Sequence, residues 1–138
     1  MQRSALWSTL ALALCAFVRP ATAASPPPAW TVDGANSKLE FTSSFGGDAF
    51  KGVFRKWDAR IVFDPAALTT SSVVVNVDLG SASTADESRD EALLSSDWFN
   101  TAKFPRATFS ATKFSSLGGG RYQAAGTLAI RGVSRPVV

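Results

Sequence analysis

A two-residue alternation of apolar and polar side chains is the feature that most constrains this fold. Beyond Trp30, apolar residues recur at every second position in short segments that end at glycine or Asp-Pro turns. One example is Val73, Val75 and Val77, which share a face opposite a mostly polar one. Successive side chains of a β-strand point to opposite faces, so the pattern predicts antiparallel strands with one apolar face. We count about six such strands, which makes the fold all-β.

Glycine-rich turns and one slip in the alternation refine this picture. Gly46-Gly47 and Gly118-Gly119-Gly120 lie between alternating segments and predict turns. The alternation slips by one residue at Arg55-Lys56 and then continues to Phe63. One extra residue in a strand is typical of a β-bulge, so the slip predicts a bulge in one long, bent strand.

One short segment predicts a helix. Thr84-Ala85-Asp86-Glu87 fits a capping box, with Thr84 at the N-cap and Glu87 three residues later, and predicts a helix over residues 85–94. A helix of this length is marginally stable alone and must dock on an apolar surface. Its C-terminal end carries an apolar cluster that suits this docking: Leu93, Leu94, Trp98 and Phe99.

The N-terminus predicts export to the periplasm. Arg3 precedes a nearly continuous apolar run over residues 5–18, and Ala21-Thr22-Ala23 fits a cleavage site. We therefore predict a signal peptide over residues 1–23, a proline-rich linker over residues 24–29 and one domain over residues 30–138. The alternatives are a membrane anchor or buried helix at this end, and a lipidated Cys15.

Composition excludes most catalytic and metal chemistry. The chain has no histidine, and its single cysteine, Cys15, leaves with the predicted signal peptide. The mature chain therefore lacks both histidine-dependent nucleophile pairs and the usual ligands of zinc or haem. We expect a non-enzyme without a metal or cofactor. Catalysis by carboxylates, lysine or serine is the enzymatic alternative, although most acidic residues lie at turns or in the first helical turn, where local structure explains them.

The charge balance does not favour a nucleic-acid partner. The chain has 14 lysines and arginines and 11 acidic residues. Removing Arg3 and Arg19 with the signal peptide leaves 12 basic residues and a net charge of +1. Such a small excess is not the basic surface that nucleic-acid binding requires.

Three ordered pieces of the sequence resemble the YceI-like family. Its central signature is similar to Ser88-Arg89-Asp90, Leu94, Asp97-Trp98-Phe99-Asn100, Lys103-Phe104-Pro105 and Ala107-Thr108-Phe109. Residues 126–133 resemble its G-x-L-x-[IL]-x-G-V strand and turn, and Gly52-Val53-Phe54, Trp57 and Ile61-Val62-Phe63-Asp64 resemble its early pattern. The resemblance covers about residues 30–138. It does not include the histidine that members often carry near the positions of Asn36 and Ser37.

The resemblance implies a fold and a ligand. It implies an antiparallel, lipocalin-like barrel of eight strands whose tunnel holds a polyisoprenoid chain or a quinone-type derivative in the periplasm. Our count of about six strands then implies an incomplete, C-terminally truncated barrel with one short helix. Its unpaired edges make a homodimer possible, and a structural or interaction β-domain without a ligand is the alternative function.

The alternating segments, together with the cluster after the helix, supply the candidate ligand-binding residues. An isoprenoid tail offers no hydrogen bonds, so its affinity must come from buried apolar area. The candidate lining comprises Phe41, Phe54, Trp57, Ile61, Phe63, Val75, Val77, Leu94, Trp98, Phe99, Phe109 and Leu128. The alternative is a filled core without a cavity. Arg89 and Asp90 are either a polar pair at the tunnel mouth or an ordinary pair on a solvated helix face.

Overall fold

The computed structural model describes residues 25–138 as two antiparallel sheets and one helix. The predicted signal peptide lies outside the described residues. The six-stranded sheet has the order β1 (Ala29–Trp30), β4 (Trp57–Val62), β5 (Ser72–Asp78), β7 (Arg106–Gly118), β8 (Arg121–Ile130) and β9 (Val133–Val137). The three-stranded sheet has the order β2 (Leu39–Phe45), β3 (Asp48–Phe54) and β6 (Ala82–Ser83). The described part of the chain thus has nine strands, two of them only two residues long, rather than about six.

The additional strands arise partly at the parity slip. The predicted bulge at Arg55-Lys56 is wrong, because the chain there leaves β3 in one sheet and enters β4 in the other. The crossing is held by the 3-10 helix Leu79–Ser81, where the Ser81 carbonyl accepts from Arg55 N at 3.1 Å and Ser81 Oγ accepts from Lys56 N at 2.9 Å. The same 3-10 helix carries the chain from β5 back to β6, so both crossings share one corner.

The bulges of this fold lie elsewhere. The pairing of β7 with β8 shifts between Ala111 and Lys113 and again between Ser116 and Gly118. Bulges bend strands and increase their twist, so the longest hairpin of the sheet curves. The turns predicted at the glycine-rich segments are present, and Gly46, Gly47, Gly118, Gly119 and Gly120 all have positive φ.

The helix α1 spans Glu87–Leu94 and begins two residues later than predicted. Its N-cap is Asp86, whose side chain accepts from Arg89 N at 2.9 Å. Thr84 is not the cap: its Oγ1 donates to Asp90 Oδ1 at 2.7 Å. Ala85, with φ of 61°, is left-handed and cannot belong to the helix. Within residues 25–138 no helix has the length and apolarity needed to cross a membrane.

Within residues 25–138 the two sheets do not close into a barrel, and the fully buried core is small. Leu79 and Leu93 are the largest fully buried side chains, each 1% exposed. Among residues 25–138 the other buried apolar residues are three alanines: Ala82, Ala107 and Ala111. The strands and the single helix confirm the all-β class. The large apolar residues of the sheets lie outside this small core.

Candidate functional site

The strand register places six of the twelve predicted lining residues on one face of the six-stranded sheet. Directly paired residues of antiparallel strands share a face. One cross-strand row contains Trp57, Val77 and Ala107, and a second contains Ala59, Val75, Phe109, Leu128 and Arg135. A third row contains Ile61, Val73, Ala111, Gly126 and Val137. We call this surface the apolar face.

The opposite face of the same sheet is polar at its centre. Asp58, Asn76 and Thr108 are paired across β4, β5 and β7. The Asn76 amide donates to Asp58 at 3.1 Å, and Thr108 Oγ1 donates to Asn76 Oδ1 at 3.2 Å. These polar partners satisfy one another beside water, so this face has no comparable apolar surface to offer a hydrocarbon chain.

The large side chains of the apolar face are only partly buried. Trp57, Val75, Phe109 and Leu128 all have intermediate exposure, whereas the small Ala107 and Ala111 are 5% and 4% exposed. A filled core would bury its large residues most completely. In this chain the largest apolar groups of the face keep surface that another apolar body can cover.

An aromatic cluster of Phe41, Phe54 and Phe99 joins the small sheet to the loop after the helix. The ring centroids of Phe41 and Phe54 are 4.8 Å apart, and Phe99 lies 5.9 Å from Phe54 and 6.2 Å from Phe41. The Phe41 ring lies over Gly52, its cross-strand partner, where a Cβ atom would overlap it. The backbone bond from Phe99 N to the Leu93 carbonyl, 2.9 Å long, fixes Phe99 against the end of the helix.

A groove of about 460 Å³ lies between the β2–β3 hairpin and the helix. The ring centroid of Trp98 lies 6.2 Å from that of Phe45 and 6.1 Å from that of Phe50. The Arg89 guanidinium lies over the Phe50 ring, 4.9 Å from its centroid. Phe45 is 72% exposed. In β2 Phe45 follows Phe41, and in β3 Phe50 precedes Phe54, each by an even number of residues. The two-residue alternation could therefore have identified Phe45 and Phe50 as members of the same faces.

A second aromatic cluster lies at the other end of β4. The ring centroid of Phe63 is 5.6 Å from that of Phe114 and 5.0 Å from that of Tyr122. Sequence analysis identified Phe63 but missed the other two. The bulge after Ala111 changes the parity of β7 and so obscures Phe114, whereas Tyr122 has the same parity on β8 as Leu128 and could have been identified from it. A six-residue strand is about 20 Å long, so the apolar face has aromatic residues at two well-separated ends.

Leu94 is a predicted lining residue that lies outside both the apolar face and the aromatic clusters. Leu94 is 37% exposed, while its neighbour Leu93 makes the buried helix contact. A groove of about 530 Å³ crosses β5, β7, β8 and β9 near Ala111 and Gly126 and is lined by none of the twelve predicted residues. The twelve residues are therefore divided among the apolar face and its Phe63 end, the small sheet with Phe41 and Phe54, and the end of the helix.

Arg89 and Asp90 do not form a pair. Arg89 lies 3.8 Å from Asp86 and over Phe50. Asp90 accepts from both the backbone and the hydroxyl of Thr84, at 2.6 and 2.7 Å. Burial raises the pKa of Asp90, but hydrogen bonds from Thr84 and Ser83 and the Arg55 charge outweigh burial, and the net pKa is lowered. Asp90 is thus a structural acceptor that fastens the helix to β6.

The described residues contain no cluster of three or more metal-ligating side chains. What residues 25–138 do present is a broad apolar face with aromatic residues at both ends and a polar reverse side. The chemistry available to such a surface is the burial of hydrocarbon.

Comparison with known proteins gives a family. The model of the YceI-like domain matches residues 30–138. A UPF0312 protein of Vibrio cholerae is 35% identical over 106 residues, which are 76% of this chain and 56% of the relative. A UPF0312 protein of Shewanella denitrificans is 36% identical over 105 residues, covering 75% of this chain and 55% of the relative. The chain thus spans little more than half the length of these relatives.

Solved structures agree with the sequence match. BcnA of Burkholderia cenocepacia has a TM-score of 0.72 at 31% identity, over 77% of this chain and 67% of that one. The YCEI protein of Campylobacter jejuni has a TM-score of 0.61 at 30% identity, over 78% and 64%. These matches confirm the resemblance expected from the signature residues. The chain belongs to the YceI-like family.

Proposed function

We propose that this protein binds a long isoprenoid lipid, a polyisoprenoid or isoprenoid quinone, without chemical turnover, as a periplasmic carrier or buffer. The observation that carries the proposal is the partly exposed apolar face. Its large residues lie in consecutive cross-strand rows, and their surfaces are not used by the small buried core. Covering such surface stabilises a complex by about 25 cal/mol per Å², which suits a ligand that is mostly hydrocarbon.

The first experiment is a lipid extract of the exported protein. The protein is purified without detergent, extracted with organic solvent and analysed by mass spectrometry. An isoprenoid in stoichiometric amount supports the proposal. A clean extract, together with no saturable binding of added geranylgeraniol, contradicts it.

Two neighbouring valines allow a matched test of the binding face. Val75 is on the apolar face and pairs with Phe109, whereas Val74 is on the reverse face and pairs with Ser110. We expect Val75→Asp to abolish geranylgeraniol binding, because an unpaired charge in an apolar contact costs several kcal/mol. Val74→Asp should retain binding. Circular dichroism of both variants establishes that each is folded, and equal losses in two folded variants would show that the face is wrongly assigned.

The cellular location is part of the same proposal. Arg3, the apolar run and Ala21-Thr22-Ala23 support export and cleavage near Ala23. N-terminal sequencing of the periplasmic fraction should find a chain that begins near residue 24. A chain that still begins at Met1 in the membrane fraction would contradict export as a cleaved protein.

A second candidate is an interaction domain without a ligand. Among residues 25–138, β2 pairs only with β3, and β9 pairs only with β8, so each has one edge without a strand partner. Exposed edges can pair with another chain. A defined oligomer with a clean lipid extract favours this candidate, whereas a co-purified isoprenoid favours the first.

A further inference from the structure

The apolar face carries one charged residue within the paired positions of the six-stranded sheet. Leu128 of β8 pairs with Arg135 of β9, so Arg135 lies on the same face as Leu128 and Phe109. The other paired positions of this face, in the described part of the chain, are apolar, aromatic, glycine or serine. A guanidinium group therefore lies in a row that is otherwise hydrocarbon.

Arg135 has no partner among residues 25–138 that would explain its position. It makes neither a side-chain hydrogen bond nor an ion pair there, and it is exposed. On the reverse face, Lys56 and Arg60 flank Asp58 along the chain, and Asp58 pairs with Asn76, so these cations have an acidic neighbour. Arg135 instead has Leu128 beside it across the strand and valines at positions 133 and 137 on the same face.

The row is long enough to contact both the tail and the head group of an amphiphilic lipid. It runs from Ala59 through Val75, Phe109 and Leu128 to Arg135 and crosses four interstrand gaps. At about 4.8 Å a gap, the row is about 19 Å long. A hydrocarbon tail on its apolar part would bring a head group to the guanidinium. Arginine presents a planar fork of donors that matches carboxylate and phosphate oxygens, and it stays charged at every physiological pH.

We propose that Arg135 selects ligands with an anionic head, a carboxylate or a phosphate, and holds that head at the β9 end of the apolar face. This proposal rests on the proposed function, because it needs the tail to lie on the same face. Arg135 is a binding residue in this arrangement, and no covalent step is involved. The competing role for Arg135 is protection of the β9 edge against strand pairing.

The test compares three probes that share one tail. Geranylgeraniol is neutral, geranylgeranoic acid carries a carboxylate, and geranylgeranyl phosphate carries a phosphate. Dissociation constants for the full exported chain are measured by calorimetry at 0.15 M salt. We expect the two anionic probes to bind about tenfold more tightly than the alcohol, the order expected for a charge-assisted hydrogen-bonded pair. The preferred anion then distinguishes a fatty-acid-like from a phosphate-bearing ligand.

Substitution at Arg135 separates selection from structure. Arg135→Gln should remove the preference for the anions and leave the affinity for geranylgeraniol unchanged, and Arg135→Lys should restore part of the preference. The matched control is Arg60→Gln, an exposed cation on the reverse face of β4, which should keep the full preference.

Three kinds of result would overturn the proposal. Equal affinity of the unaltered protein for alcohol and anions leaves the proposed function standing and removes head selection by Arg135. Equal loss of all three probes in folded Arg135→Gln shows a structural role or edge protection instead. If the unaltered protein binds none of the probes, the proposed function fails as well, which is readily distinguished from the first two results.

Discussion

The ring of Phe41 lies over the Cα of Gly52, its directly paired neighbour across β2 and β3. A Cβ at Gly52 would overlap two ring atoms of Phe41 and make a tight contact with a third. The same ring contacts Phe54 at a centroid distance of 4.8 Å and Phe99 at 6.2 Å. The absent side chain at Gly52 therefore creates the space in which the aromatic cluster forms, and the ring in turn covers the glycine backbone, as aromatic residues do for glycines in sheets.

We expect Gly52→Ala to destabilise the protein by about 1–3 kcal/mol, because the new methyl group displaces the Phe41 ring from a packed cluster. Chemical denaturation measures the free energy of unfolding. The control is Gly34→Ala: an added Cβ there meets no atom within 4 Å, and the expected change is within about 0.5 kcal/mol. Equal stabilities of the two variants would mean that the ring does not depend on Gly52.

Much of the fold could be predicted from local alternation. The valines of β5 and the aromatic and aliphatic residues of β4 have the face that their spacing indicated, because a strand with one buried side must keep its period. The glycine turns were equally clear, since several of these glycines adopt positive φ. Family resemblance, rather than periodicity, supplied the expectation of a lipocalin-like fold.

The errors arise where one local sequence pattern fits two different structures. At Arg55-Lys56 a change of sheet and a bulge produce the same one-residue slip, and only the hydrogen bonds to Ser81 distinguish them. Thr84 and Asp86 are both good caps, and the positive φ of Ala85 decided between them. The position of Arg135 beside Leu128 depends on the register that the short turn at Arg131-Gly132 sets between β8 and β9, which the alternation of β9 alone does not indicate.

Trp57 offers a second test of the apolar face, because it begins β4 and pairs with Val77. We expect Trp57→Asp to abolish isoprenoid binding, since the carboxylate would lie unpaired in the hydrocarbon contact. Lys56→Asp, one residue earlier and exposed, should leave binding intact. Binding is measured by calorimetry with geranylgeraniol after folded content is checked. Retained affinity in a folded Trp57→Asp protein would exclude this end of β4 from the site.

Asp90 predicts a specific loss of stability in acid. Its folded-state pKa is lowered, so the carboxylate stabilises the fold above its unfolded pKa of about 3.9, and this contribution is lost as the pH falls through the folded value. Asp90→Asn should reduce stability at pH 7 and flatten the decline of stability below about pH 4. Urea unfolding at several pH values measures both effects. An unchanged slope in the variant would show that Asp90 is not a source of the acid dependence.

Within residues 25–138, one edge of β9 has no strand partner, and this edge predicts self-association. Proline within a sheet occupies a position where its missing N–H would face away from the neighbouring strand, so the backbone of Pro136 points away from β8. Ser134, two residues earlier, then points its N–H to the same open side, where a strand of a second copy can accept it. We expect a concentration-dependent dimer by light scattering, and Ser134→Pro should weaken it because the donor is removed. The control is Ser25→Pro, which lies outside the sheets and should leave the dimer unchanged. A protein that stays monomeric at every accessible concentration would show that Arg135 and Pro136 already protect this edge.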